Sequence, residues 1–263
     1  MPGLPRVQLF EFNDRAWAPA VLRDTIVESL SRTLRWGRVL DGLVDPLIAF
    51  LDAAGTHRVL DLGSGAGGPA EALAEAAARR GRSLELLLTD LFPRPAVWSA
   101  LRARHPGVVD FVPGPVDATE IPRDLSRGRA RVIINTFHHF PEPLGRAVLA
   151  DAIRARAPLF LAEGFERNPL RFAPFAPAGL AALCASPLLA HDRRLARAAL
   201  VYGTPLALMA SIWDGVVSTL RVYTEEELRA MVSGAEGYRW SYGTYDFVPW
   251  GRGYYFHGLP SPA

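Results

Sequence analysis

A chain of 263 residues is long enough to bury a substantial core as one α/β domain carrying an insertion. Apolar residues make up 49% and charged residues 21%, which excludes a disordered chain, and a formal net charge of +2 offers no field for a polyanion such as nucleic acid. All 29 basic residues are arginine, which removes Schiff-base chemistry and a phosphate loop ending in lysine; the one cysteine removes internal disulfides and cysteine-rich zinc sites.

Residues 14–54 read as helical, with Asp14, Asp24 and Asp41 as caps or first-turn acids. Residues Met1 to Asp14 lack the basic start and apolar stretch of a signal peptide, so a cytoplasmic protein is expected. Val59-Leu60-Asp61 is a strand that runs into the loop Gly63-Ser64-Gly65-Ala66-Gly67-Gly68, and Pro69 to Arg80 is a helix ended by Gly81. Further strands are expected at 84–90, 108–112, 131–135 and 159–163, with helices at 96–105 and 144–155 between them. Arg123, Arg127, Arg129 and Arg131 read as a solvated basic loop before the fourth strand.

Beyond Glu163 the alternation stops. Residues 169–234 read as a helical cap over the site, and Tyr238 to His257, with its clustered Tyr, Trp and Phe, as a closing hairpin. Phe172–Ala190 and Ala198–Trp213 are free of charge but interrupted by proline, so buried cap helices are expected; contact with a membrane surface stays open. Cys184 reads as a small buried hydrophobe of this cap. The partition is one domain: a helical segment 1–55, a ligand-binding core 56–168, the cap 169–234 and the hairpin 235–263.

Strands alternating with helices imply a doubly wound, mostly parallel sheet, whose ligands bind beyond the carboxyl ends of the strands. Gly63 to Gly68, Asp90, Asp117, Asn135 and Glu163 all fall at such ends. The loop alone also satisfies a dinucleotide fingerprint. Asp61 discriminates: a carboxylate there repels a pyrophosphate and attracts the ammonium and sulfonium of S-adenosylmethionine. Asp90 suits the ribose hydroxyls because a carboxylate only accepts hydrogen bonds, and Asp117-Ala118 offers an acceptor and an N–H to adenine.

The run Val59-Leu60-Asp61-Leu62-Gly63-Ser64-Gly65-Ala66-Gly67, then Asp90, then Asp117-Ala118, resembles the class I S-adenosylmethionine-dependent methyltransferase superfamily. The likeness covers residues 58–163 and implies a seven-stranded Rossmann-like methyltransferase sheet. Asp61, Gly63, Ser64, Gly65, Gly67, Asp90, Leu91, Asp117, Ala118 and Asn135 are then the cofactor-binding residues. The flanks Phe10-Glu11-Phe12-Asn13, Asn135-Thr136-Phe137-His138-His139-Phe140 and Trp213 to Tyr223 resemble an uncharacterised bacterial branch, which carries no activity to transfer.

The superfamily's adenine and cytosine amino methylases place an Asn-Pro-Pro-aromatic or Asp-Pro-Pro-aromatic tetrapeptide after the fourth strand. Here stands Asn135-Thr136-Phe137-His138-His139, which argues against a nucleic-acid base as acceptor. His139, and after it His138, are the base candidates, with Asp214 and Tyr223 as further catalytic candidates. Trp17, Trp213 and Arg221 are candidates for holding a small-molecule substrate; for Asp214 and Arg221 a mutual ion pair is the alternative. No metal site is expected, because no further ligand has a recognisable spacing with the histidine pair. The expected activity is methyl transfer to an O or N atom of a small, partly apolar metabolite. Non-methylating chemistry on the same cofactor and a non-catalytic, membrane-peripheral binding role stay open, and oligomeric state is not legible.

Overall fold

The computed structural model describes residues 4–15, 17–190 and 192–261. After an extended segment and a 3-10 turn at Phe12–Asp14, α1 (Ala20–Trp36) and α2 (Val44–Ala53) precede the sheet. The expected N-terminal helical stretch is thus two α-helices, with Asp14 in the first 3-10 turn and Asp41 opening a second one at Asp41–Leu43. Pro19, with its fixed φ, starts α1, so neither Asp14 nor Asp24 caps it; Asp24 lies inside α1 and pairs with Arg193 at 2.6 Å.

The core then alternates: β1 (Arg58–Leu62), α3 (Gly68–Ala78), β2 (Glu85–Thr89), α4 (Pro95–Arg104), β3 (Val109–Phe111), α5 (Arg123–Ser126), β4 (Ala130–Ile134), α6 (Glu142–Arg154) and β5 (Leu159–Glu163). The cap holds a 3-10 segment Pro169–Phe175 followed by α7 (Ala176–Leu189), α8 (Arg194–Gly203), α9 (Leu206–Arg221) and α10 (Glu225–Met231). The chain closes with β6 (Tyr238–Phe247) and β7 (Gly251–Pro260).

These seven strands form one sheet in the order β3-β2-β1-β4-β5-β7-β6, in which only β7 runs against its neighbours. Every residue of β4 and β5 is buried, which requires helices on both faces and explains why these strands read as unbroken apolar runs. The basic-loop reading fails at Arg131. It is the second residue of β4, 1% exposed, and donates to Asp151 of α6 at 2.6 Å. In the terminal hairpin Trp240 packs on Gly258 directly across the ladder, where a Cβ would come within 2.5 Å of the indole.

The cap rests on α1 through α7, α8 and α9. Residues 169–189 are long and apolar enough to cross a membrane, but a third of that stretch is buried against this fold. Cys184, expected inside, is exposed on α7, and Leu188, Leu195, Leu206 and Met209 also face outward. A helix apolar on every side gives no stripe by which to tell inside from outside.

Candidate active site

The glycine loop lies at the carboxyl edge of the sheet, between β1 and α3. Gly63, Gly65 and Gly67 have φ of +72°, +53° and +79°, a left-handed backbone open to glycine at little cost. A Cβ on Gly63 would meet Thr136 at 2.5 Å and one on Gly67 would meet Leu101 at 2.7 Å, whereas one on Gly65 meets nothing within 4 Å. Gly65 therefore borders open space. Ser64, expected to touch the cofactor, is buried and locks the loop instead: its hydroxyl accepts from the Thr89 amide at 3.1 Å and donates to the Asp61 carbonyl at 3.2 Å. Trp98 of α4 adds a bond from its indole N–H to the Gly65 carbonyl at 3.0 Å.

Asp61 is 5% exposed, and its Oδ2 has no hydrogen-bond partner among the described residues. Burial pushes its carboxyl up to about 7; the Ser64 hydroxyl opposes the shift and the Asp90 charge adds to it. A buried acceptor left bare beside an open glycine turn fits a cationic ligand, which would supply both a donor and a counter-charge. Asp90 accepts from the Gly65 amide and the Phe92 amide, each at 2.8 Å, and each oxygen keeps a further lone pair for hydroxyl donors. Leu91 is half-exposed beside it. Asp117 is exposed, and its carboxylate is engaged by the Thr119 amide and hydroxyl at 2.8 and 2.7 Å, which hold its pKa below the usual value. Ala118, half-buried, packs against the core. Asn135 adopts φ of +54° and its Oδ1 accepts from the Gly164 amide at 2.7 Å, tying the ends of β4 and β5 together.

Asn135 also borders a cavity of about 330 Å³ between α1, the cap and the ends of β4 and β5. Its walls are largely apolar, with Ile26, Leu30, Phe165, Phe172, Phe175 and Leu180 prominent. Its polar groups include Glu11, Asn13, Ser29, His138, His139 and Asp214.

The two histidines differ. His138 is 3% exposed and has its Nδ1 2.8 Å from Glu163 Oε2, while its backbone N–H donates to Glu163 Oε1 at 2.9 Å. An ionised carboxylate only accepts, so the imidazole proton sits on Nδ1, and Nε2, which has no partner among the described residues, is left as a bare acceptor. His139 stacks on it with ring centroids 4.2 Å apart, and its Nδ1 lies 3.2 Å from Asp14 Oδ2. Burial works to lower the His139 pKa, but the Asp14 hydrogen bond and the Glu11 and Asp14 charges prevail and hold it at about 9. A ring kept as imidazolium is no base at neutral pH. The order of preference between the two histidines is therefore reversed, with His138 the better candidate.

The remaining candidates separate in the same way. Arg221 lies 3% exposed with every guanidinium nitrogen engaged: Nε and Nη2 bond the Leu9 carbonyl at 3.0 and 2.5 Å, and Nη1 reaches Glu11 at 2.8 Å and Asp14 at 3.0 Å. It holds the N-terminal segment, not a substrate. Asp214 does not pair with it; it lines the cavity but accepts from the Phe12 and Asn13 amides at 2.7 and 3.1 Å. Burial first, then Glu11 and Asp14, raise the Asp214 carboxyl to about 7 against those two amides. Tyr223 is buried away from the cavity, donates to the Phe140 carbonyl at 2.7 Å and lies under Arg6. Trp17 and Trp213 are outside it too, in a surface cluster with Phe10 and Phe12, and the Trp213 indole donates to the Phe10 carbonyl.

Glu11, Asn13 and Ser29 join the site although they were not among the sequence candidates, and Glu163, which the sequence placed at the ligand edge of the sheet without a role, proves to hold His138. The signals were the acid closing the apolar run of β5 and the polar pair Glu11 and Asn13 in a Phe-rich segment. Glu11, His138 and His139 place ligand atoms within 4.8 Å of one another, a gathering that sequence spacing did not reveal. Arg221 and the His139 imidazolium already neutralise Glu11 and Asp14, so the cluster has its cations built in.

No protein-family model and no curated protein matches the chain. Among solved structures, the methyltransferase domain of bacterial CtHen1 (form CN) aligns with a TM-score of 0.50, covering 84% of this chain and 99% of that one at 10% identity. Magnesium protoporphyrin IX methyltransferase (ChlM) from Synechocystis PCC 6803, with bound SAH, aligns with a TM-score of 0.49, covering 92% and 98% at 15% identity. At such identities the likeness speaks for the fold: this is the Rossmann-like fold of class I S-adenosylmethionine-dependent methyltransferases.

Proposed function

We propose that the chain is an S-adenosylmethionine-dependent methyltransferase acting on an O or N atom of a small, partly apolar molecule. The observation that carries this reading is the bare, buried Oδ2 of Asp61 at the glycine turn, beside the open space at Gly65. Asp61 would take the ligand's ammonium, Asp90 its ribose hydroxyls, and the backbone around Ala118 its adenine. The bound cofactor supplies an electrophilic methyl group on a sulfonium. Asn135, which borders the cavity and ties the strand ends beside the loop, marks where the two ligands meet.

Displacement at a methyl carbon depends on holding the acceptor atom in line and excluding water, which the apolar cap does. His138 Nε2 takes the acceptor's proton as the bond to carbon forms, and Glu163 holds the ring in the tautomer that leaves Nε2 free. The resulting imidazolium gains a buried carboxylate partner, as a base in an apolar cavity requires.

Calorimetry with S-adenosylmethionine and S-adenosylhomocysteine tests the cofactor half. Both are expected to bind, and Asp61→Ala is expected to weaken both by tenfold or more. Absence of binding to the wild type would sink the reading. Mass spectrometry of the spent cofactor tests the reaction half, because methyl transfer must leave S-adenosylhomocysteine.

A further inference from the structure

Three side-chain atoms around the cavity are buried and without a hydrogen-bond partner among the described residues: His138 Nε2, Asn13 Oδ1 and Ser29 Oγ. They come from three separate parts of the chain, the turn after β4, the N-terminal segment and α1. Buried polar groups are normally satisfied, and each one left bare costs about 1–3 kcal/mol. Three around one cavity define what its occupant must offer.

Their chemistry is directional. With its proton on Nδ1 toward Glu163, His138 presents only an acceptor. The Asn13 amide is oriented by its Nδ2 donating to Glu11 Oε2 at 3.4 Å; the flipped amide would set oxygen against a carboxylate, so Oδ1 is the atom left over. Ser29 can donate or accept, and α1 presents it among Ile26, Leu30 and Thr33 on the apolar side of the cavity. The occupant therefore needs two donors for two pure acceptors, and a third polar atom for Ser29 is welcome.

Charge narrows the class further. Among the described residues the cavity lining includes no arginine, and its one cation, His139, is matched by Asp14 and Glu11. Two acids, Glu11 and Asp214, line the same end. A carboxylate or phosphate would enter beside two acids and find no free counter-ion, at a desolvation cost of several kcal/mol.

Resting on the reading of this cavity as the acceptor site, we propose that the acceptor is an uncharged, predominantly apolar molecule bearing at least two hydroxyl groups. The reacting hydroxyl is held by His138 Nε2 and the second by Asn13 Oδ1. Asn13 and Ser29 are specificity-determining residues: they select the second and third polar groups and leave the methyl transfer itself to others.

Binding of 2,3-dihydroxynaphthalene, 2-naphthol, naphthalene and 2-naphthoic acid to the full chain, measured by calorimetry without cofactor, tests this apart from methyl transfer. The expected order is dihydroxynaphthalene tightest, naphthol about fivefold to tenfold weaker, naphthalene weaker again and naphthoic acid weakest at pH 7.5. In Asn13→Leu the advantage of the diol over the mono-ol should collapse to within twofold. Ser29→Ala, on a different element, should leave that ratio intact, and Asn13→Ala, which withdraws the same acceptor with a smaller side chain, should collapse it likewise should Asn13→Leu fold poorly. Naphthoic acid binding as tightly as naphthol, an unchanged ratio in folded Asn13→Leu, or binding of none of the four probes overturns the proposal. The stated order without transfer to any probe would leave this assignment standing and count against the methyltransferase reading alone.

Discussion

Asp61 and His138 show how far a single residue's role follows from its environment. The Asp61 carboxyl is raised from 3.8 to about 7 by burial, so near neutral pH the ligand-free protein carries it partly protonated. The native state holds this proton between those two values while the unfolded chain releases it, so its stabilising contribution is lost as pH rises from about 4 to about 7. A cationic ligand requires the ionised form. Below pH 7 its binding must expel a proton, and affinity for S-adenosylmethionine should fall toward tenfold per pH unit. Calorimetry at pH 6 in buffers of different ionisation heat measures the proton directly, and Asp61→Asn should bind weakly with a flat pH profile. A flat profile in the wild type would refute the assignment. At Glu163, the isosteric Glu163→Gln keeps the shape but loses the charge that fixes the His138 tautomer. Turnover should fall by about a hundredfold or more, with affinity for S-adenosylmethionine unchanged; a loss in KM alone would mean that Glu163 only supports the wall. The choice between His138 and His139 was not legible in the chain because the deciding carboxylates lie 25 and 125 residues away in sequence.

Elements were more legible than residues. Each core strand was visible because a parallel strand covered on both faces must be apolar throughout, and the expected bounds are met within one or two residues. Thr224 followed by three glutamates reads as a capping box, and in α10 the Thr224 hydroxyl accepts from Glu227 while the Glu227 carboxylate accepts from Thr224. Two elements misled: the first residues of β4 hide an arginine whose partner is on α6, and α7 offers no polar stripe to orient Cys184. In the glycine loop, position matters more than residue type. Gly65 alone of the three left-handed glycines faces open space, so Gly65→Ala adds strain of about 1–2 kcal/mol without a clash inside the fold. The variant should melt only about 2–8 °C lower, yet lose most of its affinity for S-adenosylmethionine because the new methyl stands where the ligand approaches. Unimpaired binding in a folded Gly65→Ala protein would show that the ligand does not approach this turn.

At the scale of the molecule, the site has two halves built in different ways. In the proposed reading the sheet supplies the cofactor half locally, from loops that follow β1, β2 and β3. The acceptor half is assembled from the N-terminal segment, α1, the turn after β4 and the cap, which is why composition and motif reading left it open. The N-terminal segment is fastened to the cap by Arg221, with further bonds from Val7 to the Leu220 carbonyl and from Arg6 to the Arg221 and Phe140 carbonyls. It carries Glu11 and Asn13 into the cavity, and Asp214 on α9 caps its 3-10 turn. Removing Arg221 therefore tests whether the two halves are separable. Arg221→Met leaves Glu11, 1% exposed, without its main counter-charge, a change of the kind that costs about 3–5 kcal/mol. For a domain of this size that corresponds to a melting temperature lower by roughly 6–20 °C. Because no hydrogen bond links the glycine loop to Arg221 among the described residues, affinity for S-adenosylmethionine should stay within a factor of about two, while binding of 2,3-dihydroxynaphthalene should be lost as Asn13 leaves its place. Adding Glu11→Gln removes the orphaned charge and should recover stability without recovering diol binding. Should Arg221→Met instead weaken both ligands equally, the cap and the glycine loop would have to act as one cooperative unit, and the division of the site into a local half and an assembled half would be wrong.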